Sequence, residues 1–260
     1  MDLLMDTSLA LGYKSNSQRA RRMTEGWMAR ETSCPRCGHP TIEQLRNNYP
    51  VGDFRCPHCN SYFELKSRAS LWTNIVNDGA YGTLIERIKS DTNPDWFFLS
   101  YTSRTYTVRQ LFIVPKQFFT PEIVIRRKPL SAKSKRAGWV GAKLSLQQVP
   151  IQGRISIVKD GQPVNEEQVR KDLKTAEMLS VANLEARGWL LDMLKCVNEI
   201  KSEEFRLRDF YERFENRLQA LHPDNHHVRD KIRQQLQELR DRGIIEFVTR
   251  GVYRKIPTHN

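Results

Sequence analysis

Cys34-Pro35-Arg36-Cys37-Gly38, Val51-Gly52-Asp53-Phe54, Cys56-Pro57-His58-Cys59-Asn60 and Phe63-Glu64-Leu65-Lys66 follow one another closely and decide how the first half of the chain is read. The two CxxC pairs are separated by the 18 residues at positions 38–55. At that spacing two knuckles can present four thiolates tetrahedrally to zinc. Each knuckle ends in a residue that tolerates positive φ, Gly38 or Asn60. Four sulfurs close the shell, so Cys34, Cys37, Cys56 and Cys59 are expected to hold a structural Zn2+ that takes no part in chemistry. His39 and His58 lie inside this ribbon and are read as surface residues, because no coordination position is left for them. Disulfides or free buried thiols are the alternative state of the four cysteines.

The residues around the second knuckle are read by geometry. Along a strand, side chains two apart share a face, so Glu64 and Lys66 point together while Phe63 and Leu65 turn to the apolar side. Asp53 sits on a segment that can form the incoming strand of the same hairpin, with Cys56 and Cys59 near its bend. Closing that hairpin brings Asp53 toward Glu64. Two carboxylates suit a hard divalent cation such as Mg2+, and Lys66 can orient a water or stabilise developing charge. The zinc would then pin the hairpin that presents the magnesium ligands. A D-x10-ExK match is a weak signal by itself, since Glu and Lys two apart on a strand also occur as a solvated ion pair.

Composition narrows the partner. The chain has 260 residues, 39% of them hydrophobic, with five Trp and eleven Phe, enough for one sizeable core and a smaller second one. No apolar run is long enough to span a bilayer and no charged leader precedes one, so a soluble, cytoplasmic protein is expected, a monomer in solution. Four of the five cysteines lie in knuckles, which fits a reducing compartment; Cys196, in an apolar stretch, reads as an inert core thiol. The net charge of +12 and pI near 9.6 call for a polyanionic partner, with nucleic acid leading. Residues 184–260 carry 15 Lys and Arg against 13 Asp and Glu, so +10 of the excess lies in residues 1–183. Arg126-Arg127-Lys128 with Lys133, Lys135 and Arg136 places six basic residues in eleven positions without an acid. Trp139 follows between Gly138 and Gly141. It reads either as a ring available to DNA beside a cationic loop or as a core anchor at a strand start.

The rest of the pattern places these motifs. A helix is expected over 15–30, with an apolar stripe of Ala20, Met23, Trp27 and Met28 and an opposite face of Arg19, Arg21 and Arg22. Glu25 on that helix is read as a surface acid, the alternative being that it joins the metal site. A helix at 81–88, strands at 96–101, 110–114, 144–149 and 154–158, and a helix near 165–178 make an α/β sheet. A polar stretch at 180–187 marks a boundary. Beyond it come helices at 187–200, 207–214 and 225–242 and a hairpin from Gly243 to Arg254, the pattern of a winged helix. On its third helix Ile232, Leu236 and Leu239 face inward. His226, His227, Arg229, Lys231, Arg233 and Gln234 are the candidates for bases and phosphates, with Arg250 and Arg254 on the wing. The domain is near neutral, so use of the winged helix for protein contacts stays open.

Segments in both halves carry a resemblance. Tyr13-Lys14-Ser15-Asn16-Ser17-Gln18, the ribbon cysteines, Phe63-Glu64-Leu65-Lys66-Ser67, Asn77-Asp78-Gly79-Ala80-Tyr81, Arg136-Ala137-Gly138-Trp139 and Lys231-Ile232-Arg233-Gln234-Gln235-Leu236 together resemble the DpnI family of methyl-directed restriction endonucleases. The resemblance implies an α/β PD-(D/E)xK nuclease core over residues 1–183, with an embedded four-cysteine zinc ribbon at 34–59, and a winged-helix DNA-binding domain over 184–260. It makes Asp53, Glu64 and the Leu65 carbonyl the Mg2+ ligands and Lys66 the catalytic lysine. It also implies double-stranded DNA carrying N6-methyladenine as the partner, cut at Gm6ATC, with Trp139 and the third helix both testing the methyl group. The proline of the motif name does not precede Asp53; Pro50 stands three residues earlier. A zinc-containing winged-helix regulator that does not cleave, and a repair or nicking nuclease with another target, are the competing functions.

Overall fold

The computed structural model describes residues 1–47, 49–181 and 183–257. Position 182, inside the expected boundary stretch, and positions 258–260, which close the expected second domain, lie outside them. The first unit spans Met1–Glu177 and the second begins at Met178.

In the first unit the elements run α1 (Asn16–Glu31), β1 (Glu43–Gln44), β2 (Phe54–Arg55), β3 (Tyr62–Arg68), β4 (Ile75–Ala80), α2 (Tyr81–Lys89), β5 (Asp95–Thr102), β6 (Thr107–Val114), β7 (Val124–Arg126), β8 (Gly141–Ser145), β9 (Ile155–Lys159), β10 (Gln162–Pro163) and α3 (Glu166–Met178). A seven-stranded sheet has the order β1-β2-β3-β5-β6-β9-β10. β3 and β5 pair in parallel, Phe63 opposite Asp95 and Lys66 opposite Phe98. A parallel pair needs a crossover, and β4 with α2 supplies it. β5 is apolar on both faces, with Trp96, Phe97, Phe98 and Leu99 fully buried, as expected of a central strand. Trp27 and Met28 of α1, with Phe54 and Phe63 of the hairpin, belong to the same core.

A second sheet of the first unit has the order β4-β8-β7, and the sequence pattern does not announce it. β4 reads Ile-Val-Asn-Asp-Gly-Ala, and Asn, Asp and Gly disfavour strands. Its antiparallel ladder to β8 overrides that preference. The strand expected at 144–149 begins earlier, at Gly141, and ends at Ser145, with a 3-10 turn over Leu146–Gln148. Gly141 starts it because a Cβ there would lie 2.8 Å from the Trp139 ring.

In the second unit α4 (Leu184–Glu199), β11 (Glu204–Arg206), α5 (Leu207–Leu221), α6 (Val228–Asp241), β12 (Ile245–Thr249) and β13 (Val252–Lys255) form three helices and a sheet of order β11-β13-β12. The expected hairpin thus gains a third strand, anchored by the buried Phe205. Trp189, Phe210, Phe214, Ile232, Leu236 and Leu239 fill the core. The third helix starts at Val228 rather than 225. Asn225 Oδ1 accepts from His227 N at 2.9 Å and holds the preceding residues in a turn. No helix among the described residues is long and apolar enough to cross a membrane.

Candidate active site

The hairpin closes as its sequence demands. β2 and β3 run antiparallel with Phe54 opposite Phe63 and Arg55 opposite Tyr62. Asp53 N donates to Phe63 O at 2.8 Å, and the Asp53 carboxylate accepts from Leu65 N at 2.8 Å. Gly52 makes this approach possible, since a Cβ on it would lie 2.7 Å from Phe63 O. Burial, and then the charge of Glu64, push the Asp53 carboxyl up to about 6, against the pull of the Leu65 amide. Asp53 and Glu64 therefore feel one another across the hairpin.

Glu64 and Lys66 share the outer face of β3, as the strand period requires. Lys66 Nζ lies 3.1 Å from Glu64 Oε1 and 2.9 Å from Asp78 Oδ1, and 4.9 Å over the centroid of the Trp96 ring. Arg87 of α2 holds the other Glu64 oxygen at 2.9 Å and donates to Val51 O at 2.8 Å. Burial alone would raise the Glu64 carboxyl, but Lys66 and Arg87 outweigh it and hold it below its ordinary value. Burial likewise disfavours the Lys66 ammonium, and Glu64 and Asp78 reverse the sign, so it stays charged.

Glu25 is not a surface acid. It is 4% exposed, paired with Arg21 Nε at 2.6 Å and accepting from Gln44 Nε2 at 2.7 Å. Arg21 reaches on to Asn47 Oδ1 at 2.8 Å. The expected outer face of α1 is thus partly an inner one: the helix packs on β1 and β3, and Arg21 supplies the charge that lets Glu25 be buried.

Beside the hairpin, all four ribbon sulfurs lie within 4.8 Å of one another and could hold a metal ion. Cys34 and Cys59 are 3.7 Å apart at sulfur, Cys37 and Cys56 3.6 Å. A tetrahedron with Zn–S bonds of about 2.3 Å has edges of about 3.8 Å, so the donor set fits zinc. The knuckles repeat one geometry: Gly38 N donates to Cys34 O and Asn60 N to Cys56 O, with φ of 75° and 57°. Burial opposes it, yet Ser61 brings the Cys59 thiol down to about 7, toward the thiolate a metal needs. His39 and His58 stack on each other at 6.0 Å. Arg36 ties the first knuckle to the sheet, gripping Asp95 at 2.6 and 3.0 Å and pairing with Glu177.

The basic loop of the first unit is closed at its base, with Leu130 N donating to Trp139 O and Gly138 N to Leu130 O. Lys133, Lys135 and Arg136 are exposed on it. Trp139 is half-buried against Gly141, and the Arg136 guanidinium lies 4.4 Å over its ring. In the second unit His226 and Gln234 are exposed, and Lys231 Nζ donates to Gln234 Oε1. Three arginines singled out there are already paired: Arg229 with Glu215, Arg233 with Asp230, and Arg254 with Glu204 and Glu246. Arg250 is exposed and enters no ion pair among the described residues.

The model of the DpnI, Dam-replacing, family matches residues 1–182. The chain belongs to that family. A second model, the Dam-replacing HTH domain, matches residues 185–255. Membership implies a methylation-dependent nuclease of the restriction class that binds DNA. The α/β core with its four-cysteine cluster and C-terminal HTH domain agrees with the fold class read from the sequence. Sequence reasoning did not single out Asp78 or Arg87. Asp78 appeared only inside a run that resembles the family, and Arg87 in the last turn of a helix has no local signature.

Proposed function

We propose that the chain is a Mg2+-dependent endonuclease that hydrolyses phosphodiester bonds of double-stranded DNA at sites containing N6-methyladenine, with Gm6ATC as the target. The observation that carries this is Asp53, bonded to Phe63 O and Leu65 N on either side of Glu64, with Lys66 beside Glu64 on β3. Asp53, Glu64 and the Leu65 carbonyl would hold the cation, an all-oxygen set suited to magnesium. Bound there, magnesium supplies Lewis acidity and an activated water. Lys66, kept charged by its two carboxylates, stabilises the charge that develops on the phosphate oxygens as water attacks phosphorus and the ester oxygen leaves. Arg87 keeps Glu64 in place.

Residues 1–183 would thus form the nuclease domain and 184–260 the reader. In the first, Lys133, Lys135 and Arg136 approach phosphates and Trp139 approaches the bases. In the second, His226, Lys231, Gln234 and Arg250 would face the DNA, and Arg229, Arg233 and Arg254 would reach it by exchanging their acidic partners for phosphates. An N6-methyl projects into the major groove and removes one donor proton. Burying a methyl contributes only about 0.8 kcal/mol. Discrimination therefore has to come from two readouts or from a penalty on the unmodified base, and two DNA-binding domains provide for that.

The test is digestion of methylated and unmethylated plasmid with Mg2+. Cutting of the methylated plasmid alone is expected. Equal cutting of both would point to a nuclease with another target, and no cutting of either to a DNA-binding regulator. Asp53→Ala should bind methylated DNA without cutting it; wild-type cleavage by that variant would remove Asp53 from the mechanism.

A further inference from the structure

Asp78 stands on β4, outside the sheet that carries Glu64 and Lys66, yet its carboxylate meets the lysine. Its Oδ1 accepts from Lys66 Nζ at 2.9 Å and from Gly79 N at 2.7 Å. The side chain is 11% exposed. The register of β4 against β8 shifts between Asp78 and Ala80, and a bulge of this kind re-aims a side chain. The bulge and the Gly79 amide therefore fix Asp78 independently of Lys66.

Asp78 pairs with the lysine and is not gathered with Asp53 and Glu64 into a ligand cluster. Among the described residues the only cluster of three or more His, Cys, Asp or Glu able to hold a metal is the four cysteines. The ammonium is instead shared between Glu64 Oε1 and Asp78 Oδ1. A cation held by Asp53 and Glu64 would compete with Lys66 and Arg87 for the Glu64 oxygens, whereas the Asp78 carboxylate and the Trp96 ring would stay with the ammonium. A lysine stem is flexible and its head is a point charge, so the one remaining carboxylate decides where over the Trp96 ring it sits.

We propose that Asp78 is a positioning residue for Lys66, anchoring its ammonium in the site when Glu64 turns to the metal. This rests on the reading of Asp53, Glu64 and Lys66 given above. Cleavage of methylated duplex is compared for Asp78→Asn, Asp78→Glu, Lys66→Met, the Asp78→Asn/Lys66→Met double variant and Asp53→Ala. The Mn2+ affinity of each DNA-free protein is measured by calorimetry. Asp78→Asn should lower kcat by about 10- to 100-fold, with KM for DNA and Mn2+ affinity unchanged. Asp78→Glu should recover part of the loss, and the double variant should be no slower than Lys66→Met.

Wild-type kcat in Asp78→Asn would overturn the proposal, as would a double variant slower than Lys66→Met by the full Asp78→Asn factor. A fall in Mn2+ affinity as large as that of Asp53→Ala would make Asp78 a ligand and overturn it too. Should Asp78→Asn melt early, the Asp78→Glu rescue decides: recovery supports the anchor, and no recovery with a wild-type melting point sinks it. Wild-type cleavage by Lys66→Met or Asp53→Ala would instead bring down the reading of the site itself.

Discussion

Gly52→Ala changes no charge and no ligand, yet it should disable the site. The added Cβ would stand 2.7 Å from Phe63 O, against 3.4 Å for ordinary contact, so the strands must part by about 0.7 Å. That separation stretches the 2.8 Å bond from Asp53 N to Phe63 O past the useful range and drags Asp53 away from Leu65 N. Overpacking against backbone costs about 1–3 kcal/mol and the broken backbone hydrogen bond about 0.5–1.5 kcal/mol, giving a destabilisation of about 1.5–4.5 kcal/mol. For a unit of this size the melting temperature should fall by roughly 5–15 °C. A displacement of this order in a catalytic constellation costs about 100-fold in rate. Calorimetry and plasmid cleavage measure the two effects, with Gly82→Ala as control because nothing lies within 4 Å of a Cβ there. If Gly52→Ala melted and cut like the wild type, the close approach of Gly52 to β3 would not be what places Asp53.

Cys56→Ser should remove the metal from the ribbon and lower both melting temperature and cleavage; unchanged stability and cleavage with zinc absent by elemental analysis would break the link between ribbon and hairpin. Lys133→Ala and Lys135→Ala should each weaken DNA binding at all sequences and reduce the slope of log K against log salt by about 0.9 for each phosphate no longer neutralised; an unchanged slope would take that lysine off the DNA. In the second unit burial alone would raise Asp192, but His222 at 2.9 Å and Lys195 outweigh it and lower its carboxyl. A lowered folded value stabilises the fold above the ordinary 3.8, and that stability is lost as pH falls below it. Asp192→Asn should therefore lower the melting point near neutral pH and flatten its fall in acid; an equally steep fall in the variant would assign the acid sensitivity elsewhere.

The most legible features are those in which a short range of sequence determines geometry. Each knuckle is set by two cysteines and one residue at positive φ, and Glu64 and Lys66 share a face through the strand period alone. The helix core positions Ile232, Leu236 and Leu239 follow from spacing in the same way. What escapes depends on partners distant in sequence. β4 holds its place through β8, some 65 residues on, so its unfavourable Asn77, Asp78 and Gly79 give no sign of a strand. Glu25 reads as exposed because the helix periodicity, which does offer Arg21 at i,i+4, says nothing about Gln44 closing over it. Arg229 and Arg254 read as candidates for DNA contact because their partners Glu215 and Glu204 come from distant elements, whereas the Arg233–Asp230 pair is a local i,i+3 contact that the spacing already offers. Their charge is neutralised within the domain, in keeping with its near-neutral balance.

The turn that joins Asp53 to Glu64 is itself the second cysteine knuckle, and this determines which mutations the gene can tolerate. Side chains alternate along β3, so inserting one residue between Cys59 and Phe63 would present Phe63 and Leu65 where Glu64 and Lys66 now stand, and deleting one would present Leu65 and Ser67 there. Most hairpin turns can absorb such a change by adopting another loop length. This one is held at both ends, by the sulfurs of Cys56 and Cys59 and by the backbone bond from Cys56 N to Ser61 O at 2.9 Å. Length variation should be confined to segments such as the basic loop, whose base closes on itself between Leu130 and Trp139.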